Sequence, residues 1–239
     1  MNVRPALALA VVAAAVLSTM SLGCGNDDQP YSPRPAVSGK KPALPAVPTL
    51  PTKAKKQGDA YTIWGVTHDL HSRVHSEDVN GKKLSLVGYI VKTNFDSAPK
   101  CAIHKTGKGD AADCKAEPPT FYIADDKGEA TNMIAVMGWS SNFAQMFSLI
   151  EGIDKAAKGK EGEVKLKDEF WANDLPNPLP NVGAKVKVTG TYATTFTKAT
   201  GGAASNPKYG IMTVEKIEYL EPPQDKVYLP GMKKKGAPS

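Results

Sequence analysis

The stretch from Lys82 to Thr93 constrains the fold more than any other. Leu84, Leu86, Gly88 and Ile90 alternate along one face of an extended strand, and Val87, Tyr89 and Val91 along the other. A strand apolar on both faces for part of its length has to be covered on both sides. Gly88 in its middle allows a sharp bend or a close backbone approach, and Asn80-Gly81 just before it is a turn signal. A second strand follows at Thr120–Ala124, ended by the turn formers Asp125, Asp126, Lys127 and Gly128. The third, Asn132–Trp139, places Met133, Ala135, Met137 and Trp139 on one side, with Ile134 and Val136 on the other. The short gap makes these two a hairpin. The period then changes: Phe143, Met146, Phe147 and Ile150 fall on one stripe of a helix. Ser140, Ser141 or Asn142 can cap its start, and Gly152 reads as its stop. After the Pro-rich break Asp174–Pro180, strands are predicted at Val182–Thr195, with Val186 and Val188 inward, and at Gly210–Leu220.

Three strands, a helix and two strands, with a glycine inside a long first strand, resemble the OB-fold. The segment Pro180–Tyr192 is similar to the fourth strand of many OB domains. The resemblance covers Asn80–Glu221 and implies a mainly β domain: a small five-stranded barrel with one helix between strands 3 and 4. A small β-sandwich is the rival reading of the same pattern. OB barrels bind ligands across strands 2 and 3 and the loops beside them. Here those loops are Phe95–Pro119 and Thr197–Lys208, and the aromatic anchors of such a site would be Tyr122, Trp139, Phe196 or Tyr209. With only 7% aromatic residues in the chain, the barrel interior competes for the same rings.

Residues 1–23 read as an export signal. Arg4 precedes an apolar run from Ala6 to Leu17, too short to span a bilayer, and small residues follow. Ser21-Leu22-Gly23-Cys24 resembles the lipobox of bacterial lipoproteins, which implies acylation of Cys24 and a membrane anchor. A plain secreted protein is the alternative. Gly25 after the Cys, in place of Asp, resembles an outer-membrane sorting signal. With the OB-like pattern, the chain is similar to the OB-like envelope lipoproteins of delta-proteobacteria. Residues 24–57 form a Pro-rich tether, 58–221 the OB-like domain and 222–239 a loose basic tail.

In an oxidising compartment the two remaining thiols, Cys101 and Cys114, favour a disulfide; a metal site of Cys101, His104 and Cys114 is the alternative. The formal charge of +6 is misleading, because much of the excess lies in the tether and tail. Gly58–Glu221 holds 19 Lys and Arg against 21 Asp and Glu, so the domain has no net cationic surplus and nucleic acid is not an expected partner. His68, His71 and His75 would share one face of a helix, which suits zinc, copper or nickel. A solvated polar face explains the same letters. No nucleophile elbow, zinc-protease helix or phosphate loop is present. These features predict an anchored, non-catalytic envelope lipoprotein that needs no cofactor and binds a protein or glycan, with a histidine metal site as the alternative.

Overall fold

A computed structural model describes residues 33, 39, 53–105, 110–159, 164–198 and 208–232. The helices are α1 (Ile63–Leu70), α2 (Ser76–Val79) and α3 (Phe143–Ala156). The strands are β1 (Lys56–Gln57), β2 (Ala60–Thr62), β3 (Lys82–Thr93), β4 (Phe121–Ala124), β5 (Ile134–Met137), β6 (Lys167–Asp168), β7 (Asn173–Asp174), β8 (Lys185–Ala193) and β9 (Ile211–Glu221).

The apolar first strand does what its two faces require: it serves two neighbours. Lys82–Tyr89 of β3 pairs with β8, and Tyr89–Thr93 pairs with β4. Gly88 lies at the changeover, where a Cβ would stand 2.7 Å from the carbonyl oxygen of Ala124. The sheet runs β3-β4-β5-β9-β8 and returns to β3, a closed five-stranded barrel. Every pairing around it is antiparallel except β5 with β9. With α3 between the third and fourth barrel strands, this is the OB-like arrangement, and closure removes the β-sandwich reading. Leu86, Ile90, Phe121, Ile123, Val186 and Val188 are fully buried in its core. The apolar stripe of α3 joins them through Phe143, Met146, Phe147 and Ile150.

Several boundaries differ from expectation, each for a local reason. β5 is shorter than Asn132–Trp139 because Gly138, at φ +85°, turns the chain out of the strand. Trp139 thereby leaves the strand and packs in the core. Helix α3 runs through Gly152 to Ala156, capped at its start by Asn142. That glycine is a packing site, since a Cβ would meet Val164 Cγ1 at 2.8 Å. The fourth barrel strand begins at Lys185, after a turn at Gly183.

Between β3 and β4 lies a long loop that holds no strand among its described residues. Asn94 closes its neck, donating from Nδ2 to the Pro118 carbonyl at 2.9 Å and accepting the Thr120 N–H at 2.8 Å. Phe95, Ala98 and Ala102 anchor it in the core, and Cys101 and Cys114 form a disulfide.

The ends of the folded body extend beyond the predicted limits. Lys53–Gln57, assigned to the tether, lies against the domain: Thr62 N–H donates to the Lys55 carbonyl, and Lys55 Nζ reaches Asp69 Oδ1 at 2.6 Å. Gly65 permits that approach, because a Cβ there would be 2.2 Å from the Lys55 carbonyl oxygen. In the tail, predicted to be loose, Leu229 is 2% exposed, and Val227 and Met232 pack on the core. Apolar side chains in a basic segment were the overlooked signal. Cys24, residues 1–23, nearly all of the tether and Lys233–Ser239 lie outside the described residues. Among the described residues, no helix is long and apolar enough to cross a membrane.

Candidate functional site

The OB-like face carries Tyr122 at the centre of β4, paired with Ala135 of β5. Its ring is half-buried beneath the Lys92 ammonium, 5.4 Å from the ring centroid. Burial pushes the phenol pKa up, and the charge of Glu117 adds to that. At the end of β5, the insertion that forms β6 and β7 folds over Gly138. The Gly138 carbonyl accepts Asn173 Nδ2 and Lys198 Nζ, each at 3.0 Å. Lys198 also lies 5.1 Å above the Trp171 ring, which meets Phe196 edge to face at 6.1 Å. Burial pushes the Lys198 pKa down, against the opposing charges of Asp168 and Glu215. Asp168, fully buried, accepts the backbone N–H groups of Ser141 and Trp171 at 2.6 and 2.9 Å.

Of the four predicted aromatic anchors, Trp139 is corrected: it is 1% exposed and packs against Phe95 and Phe121, out of reach of a ligand. Tyr122, Phe196 and Tyr209 are half-buried. Phe196 belongs to the Trp171–Lys198 clamp. Tyr209 offers its carbonyl to the Tyr192 hydroxyl at 2.6 Å, at the foot of β9.

The histidines do not share one helix. Helix α1 stops at Leu70, His71 is its C-cap, and His75 is the N-cap of α2. Their rings go to separate partners: His68 Nδ1 to Asp69 at 3.2 Å, His71 Nε2 to the Lys208 carbonyl at 2.6 Å, and His75 Nδ1 to Asp78 at 3.1 Å. Among the described residues, no group of three or more His, Cys, Asp or Glu could hold a metal ion. The disulfide likewise takes up both thiols of the Cys101–His104–Cys114 alternative, and His104 Nε2 lies 3.7 Å from Asp110 Oδ1.

A second concave surface lies where α1 meets the turn between β4 and β5. Asp125 accepts the N–H groups of Ile63 and Trp64 at 2.7 and 2.8 Å, one on each carboxylate oxygen. The Thr62 hydroxyl accepts the Gly65 N–H at 3.0 Å. The first turn of α1 is thus capped from within and from a remote strand turn, and the acid favourably meets the positive end of the helix. Sequence reasoning took Asp125 only for a turn former, since nothing local announces a partner about 60 positions away. Asp125→Ala is expected to cost about 1–2 kcal/mol, read as a lower urea midpoint with an unchanged m-value.

The cleft beside this cap measures about 330 Å³ and is lined by Lys53, Trp64, Thr67, His68, His71, Asp125, Glu129 and Asn132. Glu129 Oε1 accepts the Thr131 hydroxyl at 2.6 Å and the N–H groups of Thr131 and Asn132 at 3.0 and 3.4 Å. Those bonds, led by the Thr131 hydroxyl, bring its pKa down to about 2. Beneath the cleft, burial pulls the Asp69 pKa up, but the hydrogen bonds from Lys55 and His68 outweigh it and hold the carboxyl below its usual range. Both acids are therefore harder to protonate folded than unfolded. Their contribution is present above the unfolded pKa values of 3.8 and 4.5 and is lost as pH falls through the folded ones. The urea midpoint should hold steady down to about pH 5 and decline below it. Lys55→Met, measured across the same range, should flatten the decline.

The sequence matches no protein-family model and no curated protein.

Proposed function

We propose that this chain is a membrane-anchored, non-catalytic envelope lipoprotein whose OB-like domain binds a protein or glycan partner. The observation that carries the reading is the Cys101–Cys114 bridge in the loop beside the barrel face. Such a bond is characteristic of oxidising compartments, which suits an exported chain whose N-terminus resembles a lipobox. The non-catalytic part rests on how the inner acids are used. Asp168 and Asp125 hold backbone N–H groups, and Asp69 holds Lys55 and His68. A carboxylate committed in this way is poorly placed to move protons for a substrate. The near-neutral charge of the domain also argues against nucleic acid.

Expression of the full chain in a bacterium that matures lipoproteins tests the reading. The N-terminal peptide should begin at an acylated Cys24, and the protein should sediment with membranes, in the outer-membrane fraction. Cys24→Ala should release it to the soluble fraction. An unacylated chain that still starts at Met1 and stays in the cytosol would refute the proposal.

A further inference from the structure

We infer that the cleft between α1 and the β4–β5 turn binds an uncharged saccharide, a ligand class that deepens the reading of the domain as an envelope binding module and rests on it. The lining is one flat apolar wall facing a polar rim. The wall is the Trp64 indole, packed against the His68 imidazole with ring centroids 5.0 Å apart. The rim is Lys53, Glu129 and Asn132. A sugar ring has the same two characters: C–H groups on its faces and hydroxyls around its edge, which need donors and acceptors. An aliphatic ligand would leave the rim groups unpaired at a cost, and a wholly polar one would waste the indole.

Charge narrows the choice further. Glu129 stays ionised far below neutral pH and Asp125 shares the cleft, so an anion meets two carboxylates. A cation meets the Lys53 ammonium. Asp125 spends its charge on the backbone N–H groups of Ile63 and Trp64, which leaves Lys53 and Glu129 as one charge of each sign and favours a ligand without charge.

The walls are also fixed before any ligand arrives. Asp125 pins the start of α1, Thr131 and Asn132 hold Glu129, and the Lys208 carbonyl holds His71 at 2.6 Å. A pre-formed site spares the ordering cost that weakens small-ligand binding. The cleft volume of about 330 Å³ lies at the lower end of small-molecule sites, which suits one or two sugar rings and no long chain.

The test uses the full chain in detergent with cellobiose, maltose and N,N′-diacetylchitobiose as probes, followed by saturation-transfer NMR on the sugar protons. At least one disaccharide should bind saturably with a dissociation constant on the order of 1 mM. Trp64→Ala should weaken it at least about tenfold, and Asn132→Ala, at an exposed position that leaves the fold intact, should weaken it measurably. Trp171→Ala, in the clamp over Gly138, should leave it unchanged. The inference is overturned if none of the three sugars saturates, if binding survives both cleft variants, or if tri-alanine binds equally well. A chain that is acylated at Cys24 and membrane-bound yet indifferent to all three sugars would refute the saccharide and leave the anchor standing.

Discussion

Trp139→Ala is expected to lower the free energy of unfolding by about 4 kcal/mol. The side chain is 1% exposed, 5.8 Å from the Phe95 ring and 6.1 Å from the Phe121 ring, so truncation opens a cavity between the barrel and the long β3–β4 loop. Neither neighbour can collapse into it freely: Phe121 is held in β4, and Phe95 sits in the short 3₁₀ turn Phe95–Ser97. Trp139→Phe should cost much less. The indole Nε1 is buried without a hydrogen-bond partner among the described residues, so the smaller ring also removes an unsatisfied donor. Urea unfolding followed by far-UV circular dichroism separates the two variants. A loss below about 1 kcal/mol for Trp139→Ala would show that the site relaxes and that this packing account is wrong.

Removing the bridge should cost about 3 kcal/mol, because Cys101 and Cys114, 13 positions apart, close a short loop and restrict the unfolded chain. The longer β3–β4 loop that the bridge ties together carries Phe95, Ala98 and Ala102 into the core. Opening it therefore loosens contacts that Trp139 also uses, and the two effects should be non-additive. Dithiothreitol should bring the wild-type urea midpoint down to that of the Cys101→Ser/Cys114→Ser double variant, while leaving the variant itself unmoved. Recovery of two free thiols from protein exported to an oxidising compartment, by mass spectrometry without reduction, would contradict the bond outright.

The barrel was legible because its signals are periodic and local. The two apolar faces of Lys82–Thr93, the glycine between them, the hairpin and the helical stripe of Phe143–Ile150 each state their own structure. The alternation of Val186 and Val188 likewise gave the inner face of β8. What the letters hid depends on partners distant in sequence. Asp125 looks like a turn acid until α1 is set above it. Gly152 looks like a helix stop until Val164 occupies the space its missing side chain leaves. Trp139 reads as the last residue of its strand until the positive φ of Gly138 ends that strand before it. The histidine arc failed for a related reason: spacing assumes a continuous helix, and α1 ends at Leu70. The polar cleft escaped notice because its lining comes from the entry segment, α1 and a strand turn, which no single stretch of sequence brings together.

The parallel pairing of β5 with β9, together with the seam between β3 and β8, sets the order in which the molecule can form. Lys82 has to find Tyr192, and Met137 has to find Thr213, so the cylinder stays open until β9 has been made. Associations between such remote residues form slowly. A nascent chain truncated before β9 lacks the stave that joins both sides. On the export proposed above, that delay would keep the chain pliable during passage and leave the final locking step to the far side.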